Sequence, residues 1–318
     1  MKILFSARIE MLSNVNQEMI TTNSQINEVL NLKDLNSLDN PELIQAWVVN
    51  PCPNFKIDSS VKFYLPNLKL ICTPTTGTTH INVADLKKNN IEVIGLKGSN
   101  VVEQIKASSE FTFIHILNAI RNFSLSLDHV KNGNWRNNDF LLRGREVCES
   151  TIGIVGLGRI GGNVARWLNC MGAKIIFYDP FVENDSYQKC TFLDDLLISS
   201  DIVVLSVHLS NDTSNMINYD KFKLMKNNSW LVNTSRGEII NEEDLLLALK
   251  KNLIRGASLD VLTNENSTDF LIDNDLIEYS KVNSNLIISP HVAGLSVDSE
   301  SKAQMFAFSE ALKFINNA

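Results

Sequence analysis

The sequence contains no apolar run of about 18 residues, the length that a membrane-spanning helix requires. It also lacks an excess of basic residues, because 29 lysines and arginines stand against 36 aspartates and glutamates, for a net charge of −7. Such a charge offers no positive field to nucleic acid or to an anionic membrane. The apolar run near the N-terminus is too short for a signal peptide. We therefore expect neither a membrane nor a nucleic-acid partner.

Cysteine is scarce, and its arrangement argues against two kinds of site. The five cysteines have neither the paired spacing of metal ligands nor the pattern of a disulfide framework. They are scattered along the chain at Cys52, Cys72, Cys148, Cys170 and Cys190. This usage is typical of a reducing compartment, so we expect a cytoplasmic protein without a bound metal.

The length and the hydrophobic pattern bound the fold. A chain of 318 residues corresponds to about two domains. Short β-branched apolar segments alternate with helical patterns along most of the sequence, and this alternation is typical of a parallel sheet with helices on both faces. We therefore predict an α/β fold built from doubly wound parallel sheets.

One stretch, residues 151–179, predicts a dinucleotide-binding site. A short apolar strand leads into Gly156, Gly158 and Gly161 in the order G-x-G-x-x-G, and a helix and a second strand follow. The first glycine permits the tight turn, the second leaves room for a pyrophosphate, and the third lets the helix pack closely on the strand. The N-terminus of the helix offers unpaired N–H groups to the phosphate charge.

Asp179, at the end of the second strand, indicates which dinucleotide binds. Its carboxylate can accept hydrogen bonds from the ribose hydroxyls of adenosine and repels a 2′-phosphate. The residues that follow, Pro180, Phe181 and Val182, include no arginine that would attract such a phosphate. We therefore predict NAD rather than NADP as the cofactor.

Three ionisable residues could carry the chemistry. Arg236, Glu265 and His291 each follow a short apolar segment, on the side of a doubly wound sheet where ligands bind. Hydride transfer to a 2-oxo acid requires a cation for the substrate and an acid/base for the hydroxyl proton. Each residue alone has a simpler interpretation, as a surface charge or a core side chain. The three together favour an active site.

Two further segments are informative. The threonine-rich loop 73–79 lies past another predicted strand, where hydroxyls and free N–H groups could hold a small carboxylate. From this loop alone, an ordinary hydroxyl-rich turn is an equally good interpretation. Residues 105–123 have the period of a helix and are too apolar for one in solvent. His115 lies within this pattern, and we expect a core or interface residue rather than a catalytic one.

These motifs resemble the D-isomer-specific 2-hydroxyacid dehydrogenase family, which includes phosphoglycerate dehydrogenases and glyoxylate/hydroxypyruvate reductases. GIVGLGRIG with YDP is similar to the cofactor fingerprint of the family. VNTSRGEIINEEDLLLALKKNLIRGASLDV resembles its longest signature, and SPHVAG resembles its catalytic histidine segment. The similarity runs from about residue 68 to the C-terminus.

The resemblance implies a role for each matching residue. His291 would be the acid/base, Glu265 its partner, and Arg236 the cation that binds the substrate. Thr76 and Gly77 match the loop whose N–H groups bind the substrate carboxylate. The implied cofactor site comprises Gly156, Gly158, Arg159, Ile160, Gly161, Asp179, His208, Thr213, Thr234, Arg236, Asp260 and His291.

The resemblance also implies an architecture of two Rossmann-like domains with a cleft between them. Residues 1–98 and 291–318 would form a flavodoxin-like, substrate-binding domain. Residues 99–290 would form the NAD-binding domain, and through it the chain would form a homodimer. The expected reaction interconverts a small 2-oxo acid and its D-2-hydroxy acid, with NAD as the hydride carrier.

Two other functions share features with this sequence. A dinucleotide-sensing scaffold, like the transcriptional corepressors of this fold, keeps the same three ionisable residues, but the compact length argues against it. Formate or phosphite oxidation is disfavoured, because formate enzymes of this superfamily have glutamine where Glu265 stands and phosphite enzymes need further basic residues.

The variant Asp179→Ala tests the cofactor prediction. We expect it to loosen the preference for NAD over NADP, because the charge that repels a 2′-phosphate is removed. The measurement is kcat/KM for each cofactor, with one substrate, in the wild type and the variant. An unchanged ratio would contradict the assignment of Asp179 as the selector.

Overall fold

The computed structural model describes residues 2–10, 12–51, 53–78, 80–137, 139–265, 270 and 274–317. Cys52 and Thr79, which figured in the sequence analysis, lie outside these residues. Contacts divide the chain into a first unit, residues 1–105 with 295–318, and a second unit, residues 106–294. The predicted domain boundaries, 98/99 and 290/291, fall a few residues earlier. The binding roles assigned to the two domains stay predictions.

The described part of the first unit contains a five-stranded parallel sheet flanked by helices. Its elements before residue 105 are β1 (Lys2–Phe5), α1 (Asn14–Asn23), β2 (Ser24–Ile26), β3 (Ile44–Val48), β4 (Leu70–Cys72), α2 (Val83–Lys88) and β5 (Glu92–Ile94). The strand order is β2-β1-β3-β4-β5, with parallel neighbours throughout. This order is that of flavodoxin-like folds.

The described part of the second unit contains a seven-stranded parallel sheet. Its elements are α3 (Ala107–Arg121), α4 (Phe123–Lys131), β6 (Thr151–Val155), α5 (Arg159–Cys170), β7 (Lys174–Tyr178), β8 (Gln188–Lys189), α6 (Leu193–Ser199), β9 (Ile202–Leu205), α7 (Tyr219–Leu224), β10 (Trp230–Asn233), α8 (Glu242–Lys250), β11 (Gly256–Leu259), α9 (Asp275–Val282) and β12 (Leu286–Ile288). The strand order is β12-β11-β10-β9-β6-β7-β8. The strands that follow β6 are added first on one side of it, as β7 and β8, and then on its other side, from β9 onwards. Sheets of this kind bind ligands at that switch point.

The C-terminal helix, α10 (Val297–Asn317), returns to the first unit and packs on β1, β3 and β4. Its Phe308 is fully buried and meets the ring of Phe5 edge to face, with ring centroids 6.1 Å apart. The two parallel sheets confirm the predicted α/β class with two Rossmann-like, doubly wound domains. In the described residues, no helix combines the length and apolarity needed to cross a bilayer.

The central strands of the second sheet are covered on both faces. β9 reads Ile-Val-Val-Leu, and all four of its side chains are buried. Because successive side chains of a strand point to opposite faces, Val203 and Leu205 join one hydrophobic cluster while Ile202 and Val204 join another. Burial on both sides fixes the ends of the strands, where the loops of the candidate site begin.

The helix predicted over residues 105–123 is α3, which spans Ala107–Arg121, and a second helix follows it directly. α3 ends at Arg121 because Asn122 adopts a left-handed φ of 50°, which asparagine tolerates better than most residues. The amide of Asn122 donates to the carbonyl of Arg143 at 3.0 Å, and this contact with a distant part of the chain holds the break. α4 then begins at Phe123.

Candidate active site

The turn between β6 and α5 is shaped by its glycines. Gly156 has a φ of 89°, and a Cβ there would lie 2.6 Å from the carbonyl oxygen of Ser206. A Cβ on Gly161 would lie 2.1 Å from the carbonyl oxygen of Gly156. A Cβ on Gly158, in contrast, would meet no atom of the described residues within 4 Å. The fold therefore requires glycine at positions 156 and 161, and it leaves open space beside Gly158.

This open space lies at the start of a helix. Gly158 is the N-cap of α5 and makes no side-chain cap, while Arg159 and Ile160 form the first turn. The first N–H groups of an α-helix have no acceptor within the helix, and together with the helix dipole they attract an anion. The turn, the open space and the helix start fit the pyrophosphate of a dinucleotide.

Asp179 holds the glycine turn against the end of β7. Its Oδ2 accepts the N–H of Leu157 at 2.9 Å, and its Oδ1 accepts those of Phe181 at 2.9 Å and Val182 at 3.2 Å. A carboxylate has about four lone-pair sites, so capacity to accept a ribose hydroxyl remains. The sequence analysis missed that Asp179 holds the glycine turn, because its bond to Leu157 exists only after β6 and β7 have paired.

The other predicted cofactor residues lie on loops at the same end of the sheet. The hydroxyl of Thr213 donates to the carbonyl of His208 at 2.6 Å and fixes the loop after β9. Thr234 follows β10, is buried, and has its hydroxyl 2.6 Å from that of Thr112 on α3. A hollow of about 310 Å³ lies at the end of β7, lined by Tyr178, Asp179, Pro180, Lys189, Cys190 and Thr191.

Arg236 stands on a loop that Asn233 shapes. Asn233 ends β10 and is fully buried; its Oδ1 accepts the N–H of Ser235 at 3.0 Å, and its Nδ2 donates to the carbonyl of Arg236 at 2.8 Å. The signal for this turn in the sequence is an asparagine at the end of an apolar strand, and the sequence analysis did not interpret it. Its amide turns the chain so that Arg236 follows the strand at once.

The loop of Arg236 packs directly on the loop that carries Glu265. A Cβ on Gly237 would lie 2.1 Å from the carbonyl carbon of Leu262 and 2.4 Å from the nitrogen of Thr263. Only glycine permits this approach of two backbones. The loops after β10 and β11 therefore run side by side.

His291, after β12, bonds to Glu265. Its Nδ1 is hydrogen-bonded to the Oε1 of Glu265. Its backbone adopts a left-handed φ of 51°, a costly conformation for a residue other than glycine. Among the described residues no group bonds its Nε2, so this nitrogen is available to a ligand.

Asp260, just past β11, holds the loop of His291. Its carbonyl accepts the N–H of His291 at 2.8 Å, while Oδ1 and Oδ2 accept those of Val292 and Ala293 at 3.0 and 2.8 Å. The hydroxyl of Ser289 donates to the same Oδ1. Asp260 is buried, with 1% of its surface exposed. The sequence analysis assigned Asp260 to the cofactor site and missed its part in shaping the loop, because these bonds link residues of different loops.

The surroundings of His291 favour its charged form. The hydrogen bond to Glu265 is the main cause that raises the pKa of His291 above the ordinary value of 6.5, and burial opposes it. The charges of Glu265 and Asp260 also raise this pKa, whereas the guanidinium of Arg236 lowers it. The bond between His291 and Glu265, and the close packing of Gly237 on Leu262, place the three predicted ionisable residues on adjoining loops. An imidazolium beside a guanidinium suits an anionic substrate.

Thr76 and Gly77 lie in the first unit, on the loop after β4. The hydroxyl of Thr75 donates to the carbonyl of Gly77 at 2.7 Å and fixes the turn. Among the described residues, no acceptor bonds the N–H of Thr76 or that of Gly77, which is the condition for holding a carboxylate. Nearby, burial lowers the pKa of His80 to about 4. The described residues contain no cluster of His, Cys, Asp or Glu that could hold a metal ion.

Comparison with known proteins finds relatives over most of the chain. Residues 113–293 match the family described as D-isomer specific 2-hydroxyacid dehydrogenase, NAD binding domain. The chain is 34% identical over 254 residues to a glyoxylate reductase of Thermofilum pendens, covering 78% of this chain and 72% of that protein. It is 32% identical over 244 residues to a glycerate dehydrogenase of Methylorubrum extorquens, covering 73% and 71% respectively.

The fold is similar to that of solved structures over nearly its whole length. A D-lactate dehydrogenase of Aquifex aeolicus, complexed with NAD and lactic acid, superposes with a TM-score of 0.81 at 25% identity, covering 99% of this chain and 96% of that one. Together with the match to an NAD-binding domain, this similarity confirms the predicted cofactor, NAD.

The variant Glu265→Gln tests the electrostatics of the site. It removes the charge and weakens the hydrogen bond that raises the pKa of His291, so the ring should titrate at lower pH. The measurement is an NMR titration of the histidine ring protons. Glu238→Gln is the matched control, because it removes a nearby carboxylate that does not bond the ring. Equal titration of His291 in all three proteins would contradict the assigned pair.

Proposed function

The chain belongs to the D-isomer specific 2-hydroxyacid dehydrogenase family, and from this premise we propose which residues interconvert a 2-oxo acid and its D-2-hydroxy acid. The observation that carries the proposal is the hydrogen bond between His291 and Glu265, which lie on adjoining loops. The charge of Arg236 also acts on the ring of His291. The chain is an NAD-dependent oxidoreductase, and the roles of its residues follow from their contacts.

His291 is the acid/base. Because Nδ1 bonds the carboxylate of Glu265, the proton available to a substrate is the one on Nε2. In the reduction, Nε2 donates this proton to the oxygen of the substrate carbonyl. In the oxidation, the neutral ring takes the hydroxyl proton from the D-2-hydroxy acid. Glu265 keeps the ring oriented and stabilises its charged form.

Arg236 binds the substrate as an anion. A guanidinium offers paired N–H donors to a carboxylate and polarises a carbonyl oxygen close to it. The N–H groups of Thr76 and Gly77, in the first unit, are donors of the kind that hold a carboxylate. We assign substrate binding mainly to residues 1–98 and 291–318, and cofactor binding to residues 99–290, which also supply Arg236.

The glycine turn and the start of α5 hold the pyrophosphate of NAD, through Gly156, Gly158 and the helical N–H groups that follow. Asp179 accepts the ribose hydroxyls, and the hollow of about 310 Å³ at the end of β7 leaves room for the adenosine. His208, Thr213, Thr234 and Asp260 complete the cofactor site. When bound, NAD carries the hydride that the substrate gains or loses.

Turnover of a panel of 2-oxo acids with NADH tests the function. The panel comprises glyoxylate, hydroxypyruvate, pyruvate and 3-phosphohydroxypyruvate. The matched probes replace each carboxylate by a methyl group and are acetaldehyde, hydroxyacetone, acetone and hydroxyacetone phosphate. We expect reduction of at least one acid and of none of the analogues without a carboxylate, because the guanidinium of Arg236 requires the anion.

In the same assay, His291→Asn should lower kcat by about 100-fold or more, the size of a general acid/base contribution. His129→Asn, at a half-buried residue of α4 in none of the proposed sites, is the matched control and should keep full activity. Turnover within a few-fold of wild type in His291→Asn would reject the acid/base role. If no 2-oxo acid is reduced by the wild type, an NAD(H)-sensing scaffold becomes the better interpretation.

We further infer that the second unit forms a homodimer. α4 exposes Phe123, Leu127 and Val130, which lie on one helical face, and Trp135 and Phe140 are exposed shortly after it. Exposed apolar side chains grouped on one face of a helix are typical of a protein–protein interface. Its lack of dominant charge fits a second copy of the same chain.

Analytical ultracentrifugation tests the dimer. Leu127→Glu should shift the protein towards monomer, because a charge at the centre of an apolar interface must be desolvated. Phe63→Glu, at an exposed aromatic residue of the first unit, is the matched control and should leave the mass unchanged. A monomeric wild type at micromolar concentration would contradict the proposal.

A further inference from the structure

Helix α3 carries a buried polar face. Ser109, Thr112 and His115 lie at three-residue intervals and are all buried, with at most 4% of their surface exposed. Polar side chains in a core must find hydrogen-bond partners. The hydrogen-bond partners of these three residues lie on α5, on the loop after β10, on β11 and on the loop after β12.

His115 uses both of its ring nitrogens. Nδ1 lies 2.7 Å from the Oγ of Ser258 on β11, and Nε2 lies 2.9 Å from the Oγ of Ser289 after β12. The hydroxyl of Ser289 bonds in turn to the carboxylate of Asp260. A continuous path of hydrogen bonds therefore runs from β11 through α3 to Asp260.

The chemistry of the groups sets the direction of this path. A carboxylate only accepts hydrogen bonds, so the single hydroxyl hydrogen of Ser289 points to Asp260. Ser289 must then accept from His115, which places the ring proton on Nε2. Nδ1 is left as an acceptor for the hydroxyl of Ser258. Burial lowers the pKa of His115, against the charge of Asp260, and keeps the ring in this neutral form.

The path ends on the loop of His291. Asp260 accepts backbone N–H groups from His291, Val292 and Ala293, so its position decides where the imidazole stands. Because His291 has a left-handed φ of 51°, the loop needs these contacts to keep its shape. A shift of the carboxylate would move the ring away from Glu265.

We propose that His115 is a positioning residue for the reaction, which acts through Ser289 and Asp260 on the loop that presents His291. The inference rests on the proposed acid/base role of His291. It gives a function to a buried histidine that touches neither the substrate residues nor the predicted cofactor turn. The charged groups that act on His291 are Glu265, Asp260 and Arg236, and the one that acts on His115 is Asp260.

Four variants separate positioning from simple stability. His115→Leu removes both bonds of the ring at similar volume, and Ser289→Ala cuts the path one step later. His115→Gln restores a donor and an acceptor in one side chain. Ser258→Ala is the matched control, because it removes a buried bond to the same ring but leaves the path from Nε2 to Asp260 intact.

We expect His115→Leu and Ser289→Ala each to lower kcat for the reduction by about tenfold, with a KM for NADH within about twofold of wild type. The kcat of the double variant should be little lower than that of either single variant, because both substitutions interrupt the same path of hydrogen bonds. His115→Gln should recover most of the rate. Ser258→Ala should lose thermal stability as the others do, with kcat within about twofold of wild type.

The pH profile supplies a readout that a structural role would not move. Reduction requires the protonated ring, so the rate is lost as pH rises through the pKa of His291, which the bond to Glu265 raises. Displacing the ring weakens that bond, and the midpoint should fall to lower pH in His115→Leu and Ser289→Ala. In Ser258→Ala the midpoint should stay.

A kcat and midpoint in His115→Leu equal to those of Ser258→Ala would overturn the proposal and leave His115 as a core residue only. An NMR titration of the His291 ring, made without substrate, keeps this test separate from the proposed function. If the wild type reduced no 2-oxo acid, the function would fail, while an NMR midpoint shifted by His115→Leu would still support positioning. An unshifted midpoint would reject it.

Discussion

The carboxylate of Asp260 is the contact on which the arrangement at the end of the second sheet depends. Its two oxygens receive the N–H groups of Val292 and Ala293 and the hydroxyl of Ser289, and its carbonyl receives the N–H of His291. A carboxylate that is 99% buried is costly without such donors, and the loop is strained without such an acceptor. The buried carboxylate of Asp260 and the strained loop of His291 therefore depend on each other.

Asp179 repeats this device at the end of β7. It receives the N–H of Leu157 from the glycine turn and those of Phe181 and Val182 from its own loop. In both places a carboxylate just past a strand fixes a loop from a different strand. Loops are otherwise the mobile parts of a fold, and side chains that bind or react must be held closely in position. The two aspartates supply that rigidity where the cofactor and the substrate meet the protein.

Recognition and chemistry draw on different parts of the chain. The dinucleotide is met mainly by backbone, since glycine at positions 156 and 161 is required by close approach and Gly158 leaves space. The chemistry rests on side chains whose properties are set by neighbours. The raised pKa of His291 comes from Glu265 and Asp260, which both lie on the loop after β11. Such a shift is a property of the assembled site and of no single residue.

The sequence by itself determined the fold class, the cofactor and the family. Three local patterns carried these conclusions: alternating apolar segments, a glycine turn between a strand and a helix, and an aspartate at the end of the next strand. Local patterns can be recognised in a sequence before its fold is known. Arg236, Glu265 and His291 could be selected because each follows a strand, and parallel strands end together.

Only the tertiary structure decided how these residues are held. The bonds of His115 reach residues 143 and 174 positions away, and no periodicity records such a pairing. The same holds for the break at Asn122, which depends on the carbonyl of Arg143. The short strands β2 and β8 are defined by their partners rather than by a pattern of their own. Hydrogen bonds between distant residues exist only after packing, so the loop that presents His291 had to be seen folded.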